Sequence, residues 1–375
     1  MRILEFALHT IKLPLVTPFT TGASTQTEGK VLIIELTAEV DGALVIGWGE
    51  CGALTEPVDS SEYLDGVIAV TTDHLLPRLA AASSADELTA ESVAGLLAKV
   101  VGHRMAKAAI EMAVLDAQLR AAGLSFKGYL GVTRDRVPSG VSVGIQGSIP
   151  QLLDTVDGYL AKGYRRIKLK IRPGWDIDPV RAVREAHPDL PLQADGRGAY
   201  TIADADHLAQ LDSFDLLLIE QPFGEEAMRH HARLAQRMRT PMCLGGSVVS
   251  AASAEDAIVW GAAAIVNIKP SHVGGYLEAR RIHDVALAHE TPVWCGGRLG
   301  TGIASGANAA LAGMPGFTIT GDISASGCCY KQDITQPFEL VDGHILIPDV
   351  PGVSVQPRRQ RLAEATLCTM RVGFP

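Results

Sequence analysis

Five charged residues, Lys168, Lys170, Asp195, Glu220 and Lys269, each sit in or close a short apolar run of the chain. Two lysines facing each other across a pocket can flank a carbon acid. One removes the proton, and the other returns it or protonates a leaving group on the far face. A carbon beside a carboxylate is too weak an acid for lysine unless the enolate charge is stabilised as it forms. A divalent metal held by acidic side chains between the two lysines is the usual means. Lys168 lies two residues before Lys170, so in a strand the two share a face. A second ammonium there lowers the pKa of the first.

These residues need a scaffold that brings distant positions to one place. From about residue 138 the sequence alternates short apolar strands with helical stretches. The strand candidates are Val141–Ile145, Arg166–Ile171, Leu190–Asp195, Leu216–Glu220, Met242–Leu244, Ala264–Lys269, Pro292–Cys295 and Phe317–Thr320. Their ends keep a beat: 25 residues from Lys170 to Asp195, 25 to Glu220, 25 to Gly245, 24 to Lys269 and 26 to Cys295. One strand, one helix and two loops fill each interval, the unit of a (β/α) barrel, whose strand ends open onto one catalytic mouth. A doubly wound sheet would carry a Gly-rich turn after its first strand, and Gly144-Ile145-Gln146-Gly147 is not one.

Ahead of the barrel the pattern is α+β. Val31–Leu36 and Leu44–Gly49 flank the turn Asp41-Gly42, a hairpin signal. Helices are expected at about 62–80, about 88–99 and Met105–Ala122, the last with an apolar face at three- and four-residue steps. The chain has 375 residues, 47% of them hydrophobic, enough for a large core. Its net charge is −9 with no long basic run, which argues against nucleic acid or an anionic membrane as partner. Mean hydropathy is +0.17, yet no stretch is long and apolar enough to span a bilayer, and the first residues do not read as a signal peptide. A cytoplasmic location, a small-molecule substrate and a homo-oligomeric state are expected.

Longer motifs carry a resemblance. They are Gly47-Trp48-Gly49-Glu50-Cys51, Tyr164–Ile171 with Pro173-Gly174-Trp175-Asp176, Ile219-Glu220-Gln221-Pro222, Ile265–Lys269, Pro292–Gly297 and Gly321–Ser326. Together they resemble the enolase superfamily, in its muconate-lactonizing subgroup, and within it the o-succinylbenzoate synthase/N-succinylamino acid racemase family. The resemblance implies a modified (β/α)7β TIM-type barrel over residues 135–345. An α+β capping domain of residues 1–130 would be completed by about 346–375. It also implies Lys170 and Lys269 as acid/base pair and Asp195 and Glu220 as the first two metal ligands; Lys168, on the face of Lys170, completes the expected catalytic set. Thr20, in a polar lid loop spanning Thr17–Thr27, and Ser324 are expected to touch substrate.

The departures from that family are as informative. Where it has Leu-Asp-Glu-Ser, supplying the third ligand, this chain reads Leu244-Gly245-Gly246-Ser247. Asp-Ala-Asn becomes Asp195-Gly196-Arg197, and Gly-Gly-Met-Leu-Glu becomes Gly296-Gly297-Arg298-Leu299-Gly300. Three carboxylates are gone and two guanidiniums have arrived. One reading is that Arg197 and Arg298 replace the metal's charge toward a substrate carboxylate or enolate. Others are that Arg197 merely fills a defunct site by pairing with Asp195 or Glu220, or that a metal persists with a relocated ligand. No cofactor is expected on the first reading, and Mg²⁺ would be held only weakly by Asp195 and Glu220. The activity expected is lysine-mediated proton transfer at carbon on a small carboxylate: racemisation, elimination or cycloisomerisation. Its rivals are a conventional Mg-dependent enzyme of the same family and an inactive barrel kept as a binding protein.

Weaker signals remain. The six cysteines show no paired metal spacing and read as reduced thiols, mostly in the core, with Cys328-Cys329 an odd adjacent pair. His230-His231 reads as part of a solvated helix face. The Gly296–Gly302 run lacks the dinucleotide pattern and suits a small anionic substrate.

Overall fold

A computed structural model describes residues 1–20, 25–58 and 60–374, omitting the side chains of residues 17–20, 25 and 26. Two long strands, β1 (Arg2–Thr20) and β2 (Thr25–Val40), open the chain and are followed by β3 (Ala43–Cys51). Asp41 and Gly42 both take positive φ, 50° and 79°, which lets a two-residue turn close the β2–β3 hairpin. Of the expected lid loop, residues 17–20 and 25–27 are strand, and residues 21–24 lie outside the described residues. The backbone of residues 17–20 and 25–27 continues the β1–β2 ladder, with Phe19 opposite Gln26; a run rich in threonine suits a strand.

Helices α1 (Leu64–Val70) and α2 (Leu76–Ser84) are joined by one π-helical turn, and α3 (Ala90–Leu96) leads to α4 (Arg104–Ala121). α4 is buried on nearly every side, more than a one-faced amphipathic pattern requires, because β3 covers one flank and the barrel another. The close approach to β3 explains Gly47 and Gly49. A Cβ there would lie 2.2 Å from the Ala113 carbonyl oxygen and 2.1 Å from that of Ala109. The short α5 (Phe126–Tyr129) and β4 (Arg136–Pro138) lead into the barrel.

Seven parallel strands follow: β5 (Gly140–Val143), β6 (Arg166–Lys170), β7 (Leu192–Asp195), β8 (Leu218–Glu220), β9 (Met242–Leu244), β10 (Ile265–Ile268) and β11 (Val293–Cys295). Between them lie α6 (Ile149–Ala161), α7 (Ile177–Ala186), α8 (Ala205–Leu208), α9 (Met228–Ala235), α10 (Ala251–Val259), α11 (Pro270–Val273) and α12 (Tyr276–Ala288). After β11 comes α13 (Gly302–Ala312). The expected eighth strand, Phe317–Thr320, forms only isolated bridges, yet it joins the two sheet edges. Val293 donates to Gly316, Asp322 to Cys295 and Gly140 to Gly321, at 3.1, 3.1 and 2.9 Å. Inside, Leu218, Cys243, Ile265 and Trp294 pack as a separate apolar plug.

β12 (His344–Leu346) pairs with β4, α14 (Arg359–Ala365) follows, and β13 (Thr366–Gly373) returns to pair antiparallel with β1. The N-terminal sheet therefore runs β13-β1-β2-β3. Two buried carboxylates of the N-terminal region seat on barrel helices. Glu50, ending β3, accepts from Thr301 and Ala304 at the start of α13, and Glu111 of α4 accepts from Tyr276 and Leu277 at the start of α12. No described helix is long and apolar enough to cross a membrane.

Candidate active site

Parallel register sets the first half of the site. Lys170 lies opposite Asp195, and Asp195 opposite Glu220, so three charged side chains stand side by side at the C-terminal ends of β6, β7 and β8. Lys170 pairs with Asp195, and Lys269, just past β10, pairs with Glu220 at 3.3 Å. Both lysines therefore stand at one mouth. Their side chains are 26% and 24% exposed, open enough to meet a ligand.

Lys168 differs. It is 4% exposed and surrounded by Asp322 at 2.6 Å, Glu220 at 2.9 Å and Asp195 at 3.4 Å, with the Trp294 ring centroid 4.7 Å away. Burial alone would lower its pKa, but the three carboxylates hold it above the ordinary lysine value, so it stays charged. Burial pulls Lys170 below the ordinary value; the neighbouring Lys168 and Arg197 add to this and Asp195 opposes it. Burial would raise the two acids on the other side of Lys168. Lys168, Lys269 and Lys170 nevertheless hold Glu220 well below the carboxylate range, and Arg166 with Lys168 brings Asp322 to about 2.

Glu220 has a further partner, Asn267, whose amide nitrogen donates at 2.6 Å. Asn267 stands beside Gly245, where a Cβ would lie 3.1 Å from the Asn267 Cβ. At Gly246 a Cβ would meet the Glu225 carboxylate at 3.0 Å. The loop keeps its backbone anchors despite having no carboxylate: Gln221 accepts from Gly245 and Ser247 and donates to the Ser247 hydroxyl.

Arg197 is exposed at the rim and takes a left-handed φ of 46°; its backbone N–H donates to Asp195 at 3.1 Å. Arg298 lines a cavity between the mouth and the N-terminal region, and its Nη1 donates to the Gly52 carbonyl at 2.9 Å. Ser271, Ser324, Asp322 and Met112 line the same cavity, and the Ser324 hydroxyl donates to Gly140. The Thr20 side chain lies outside the described residues.

Three site residues escaped the sequence reading. Asp322 lies two residues beyond the apolar run Phe317–Thr320, so the run's own end does not mark it, yet it pairs with Lys168 at 2.6 Å. Arg166, which pairs with Asp322 at 2.7 Å, and Asn267 sit on the same inward face as Lys168 and Lys269, one alternation deeper, where period two pointed. His231 corrects an expectation. It is fully buried and accepts from the Phe223 backbone at 3.2 Å, which secures the loop after β8, and burial lowers its pKa to about 4. Of the six free cysteines only Cys51, Cys243 and Cys295 are buried; Cys328 and Cys329 are half-buried and Cys368 is exposed.

Comparison with known proteins agrees with this architecture at both ends of the chain. Residues 5–131 match the mandelate racemase/muconate lactonizing enzyme N-terminal domain, and 151–361 the enolase C-terminal domain-like family. The chain belongs to the enolase superfamily. It is 53% identical over 374 residues to an N-succinylamino acid racemase of Amycolatopsis, covering 100% of both chains. It is 39% identical to the o-succinylbenzoate synthase of Geobacillus stearothermophilus, over 96% of this chain and 94% of that one. An enolase-superfamily crystal structure from Listeria innocua superposes with a TM-score of 0.94 at 35% identity, covering 100% and 99% of the two chains. As a superfamily member the protein is an enzyme of the racemase and synthase type, an isomerase or lyase.

Proposed function

We propose that this enzyme moves a proton at the carbon beside the carboxylate of an N-acylated amino acid or a similarly sized acid, without a divalent metal. Lys170 and Lys269 serve as the two faces of an acid/base pair. The observation that carries this reading is their joint placement: two partly open ammoniums at one mouth, each paired with a different carboxylate. A proton taken by one and returned by the other inverts the carbon; returned by the same one, or sent to a leaving group, it gives retention or elimination. The 53% identity to a protein named N-succinylamino acid racemase favours racemisation and an N-acyl substrate.

The metal half of the proposal rests on the donor set. Relatives of this kind normally use Mg²⁺, which wants near-octahedral oxygen coordination. Here Asp195 and Glu220 are engaged by Lys168, Lys170, Lys269 and Asn267, and positions 245 and 246 carry no donor side chain. Among the described residues no group of three or more His, Cys, Asp or Glu is placed to hold a metal ion. These residues do not fit the ion. Arg197 and Arg298 then supply the fixed positive charge that holds the substrate carboxylate, through paired N–H donors whose charge is insensitive to working pH.

A screen for solvent deuterium entering the α-carbon of N-acyl amino acids, run in EDTA, tests both halves. Exchange that survives EDTA supports the reading. Exchange that EDTA abolishes and Mg²⁺ restores overturns the metal half in favour of a conventional enzyme. No exchange with or without Mg²⁺ overturns the proton-transfer half.

A further inference from the structure

Behind the mouth, Tyr330 joins three segments that are far apart in the chain. Val16 donates its N–H to the Cys329 carbonyl and Lys331 donates to Pro14, both at 2.9 Å, so the Tyr330 backbone is bridged to Leu15 of β1. Its ring lies against Gly29 of β2, where a Cβ would come within 2.9 Å of both Cε1 and the hydroxyl oxygen. The residue is 2% exposed. Its hydroxyl donates to the Leu299 carbonyl at 2.8 Å, in the Gly-rich turn that follows β11.

That carbonyl belongs to a three-residue turn, closed by the Gly300 N–H donating to the Arg298 carbonyl at 2.8 Å. In a trans peptide the C=O and N–H point opposite ways, so the Leu299 carbonyl faces away from the closing bond and toward Tyr330. The peptide unit joining Leu299 to Gly300 is thereby held from both sides. On the next residue, the Thr301 N–H donates to Glu50 at 2.8 Å. The guanidinium of Arg298 leaves this turn for the cavity at the mouth and donates to the Gly52 carbonyl.

We propose that Tyr330 is a positioning residue for Arg298. Its hydroxyl fixes the turn that carries the guanidinium, and its ring ties that turn to the β1–β2 hairpin. The proposal rests on the proposed function in one respect, that Arg298 holds the substrate carboxylate. Two parallel N–H donors meet a carboxylate only with the guanidinium plane correctly set. A turn free to rotate beneath a long side chain loses that setting, and small misplacements weaken such contacts. Among the described residues lining the cavity Tyr330 is absent, so its effect on a ligand must pass through the turn. Packing alone would be served by phenylalanine; the hydroxyl is what grips Leu299.

Tyr330→Phe keeps the ring against Gly29 and removes the hydroxyl. With the full-length protein and N-succinyl-L-leucine as probe, deuterium exchange at the α-carbon should show KM raised about three- to tenfold, the size of one lost hydrogen bond. The kcat should change little, because the acid/base lysines are untouched. Gly29→Ala, which displaces the ring, should raise KM in the same way. In Arg298→Lys, which keeps a charge but not the fork, KM should already be raised, and adding Tyr330→Phe should raise it little further. Hydrogen exchange at the Gly300 amide should speed up in Tyr330→Phe with or without the probe. An unchanged KM in Tyr330→Phe, or an effect of full size in the Arg298→Lys background, overturns the proposal. If the native chain exchanges no α-proton, the proposed function fails on its own account. The Gly300 amide then decides whether Tyr330 holds the turn, and unchanged protection there overturns that as well.

Discussion

The two halves of the barrel mouth are built differently. At the C-terminal ends of β6, β7 and β8 the inward side chains are charged, and Lys170, Asp195 and Glu220 align in register. Near the ends of β9, β10 and β11 stand Gly245, Asn267 with Lys269 two residues on, and Gly296. A Cβ at Gly296 would lie 2.4 Å from the Asn267 side-chain oxygen. One half has kept its charges and the other has closed around an amide. On the proposed function, acid/base chemistry and cation-holding chemistry are separable in such a mouth. Lys269 reaches Glu220 from the other half, while positions 245 and 246 carry glycine.

The sharpest way to break this comparison is to remove the charges of the intact half. Lys170→Ala and Lys269→Ala should each lower α-proton exchange by at least about 10², with little change in folding, because both side chains are partly open. Lys168→Met should do the reverse of sparing the fold. It leaves Asp195, Glu220 and Asp322 together without their shared ammonium, and urea unfolding should show a loss of about 3–5 kcal/mol. If Lys168→Met is as stable as the native chain, its three short contacts have been overvalued.

Next in size is the rim. Arg197→Met should lower turnover by about 10² if the guanidinium binds substrate charge, and should do so equally with and without EDTA. The depleted half can also be rebuilt. Gly245 has ordinary backbone geometry, so Gly245→Asp needs only a small yield from Asn267. If the proposed reading holds, calorimetry should then detect Mg²⁺ binding to the variant and none to the native chain. Strong Mg²⁺ binding by the native chain would erase the contrast between the halves.

The smallest expected effect concerns the seam. Burial, against hydrogen bonds from the helix starts, raises Glu50 to about 7 and Glu111 to about 8, from an ordinary value of 4.5. Between that ordinary value and the raised one the folded chain holds protons that the unfolded chain has released. Their contribution to stability therefore falls as pH rises from about 4.5 to about 8 and is flat above. Asp322 has the opposite sign: its contribution is present above the ordinary carboxylate range and is lost as pH falls toward about 2, outside that window. In the double variant Glu50→Gln, Glu111→Gln the slope of unfolding free energy between pH 5 and pH 8 should shrink. An unchanged slope would mean that other groups set it.

Much of the site was legible because repetition makes a barrel visible. A near-constant interval of 25 residues marks each strand end, and charges that recur there must converge once the sheet curls. Glu50 and Glu111 were not legible. Each lies in an apolar context far from its partner helix, and an acid on a helix start leaves no periodic trace. His231 was misread for a related reason: on a short polar helix its side looks solvated until the loop after β8 folds across it. The long β1 strand escaped as well, since nothing in its mixed pattern shows that β13, some 360 residues later, will cover its other edge.

The sequence by itself determined the period, the alternation and therefore the set of side chains at the mouth, because strand geometry converts spacing directly into facing. Set against the family motifs it resembles, it also carries glycine at 245, 246 and 300 and arginine at 197 and 298. Only the tertiary structure decided how those charges pair. Lys168 is sealed among three acids while Lys170, two residues later on the same strand, stays open; Arg298 reaches across to the Gly52 carbonyl; and Asp322 joins from a segment that is barely a strand. Pairing depends on depth and distance in three dimensions, and a difference of one pleat separates an ammonium sealed among acids from one left partly open.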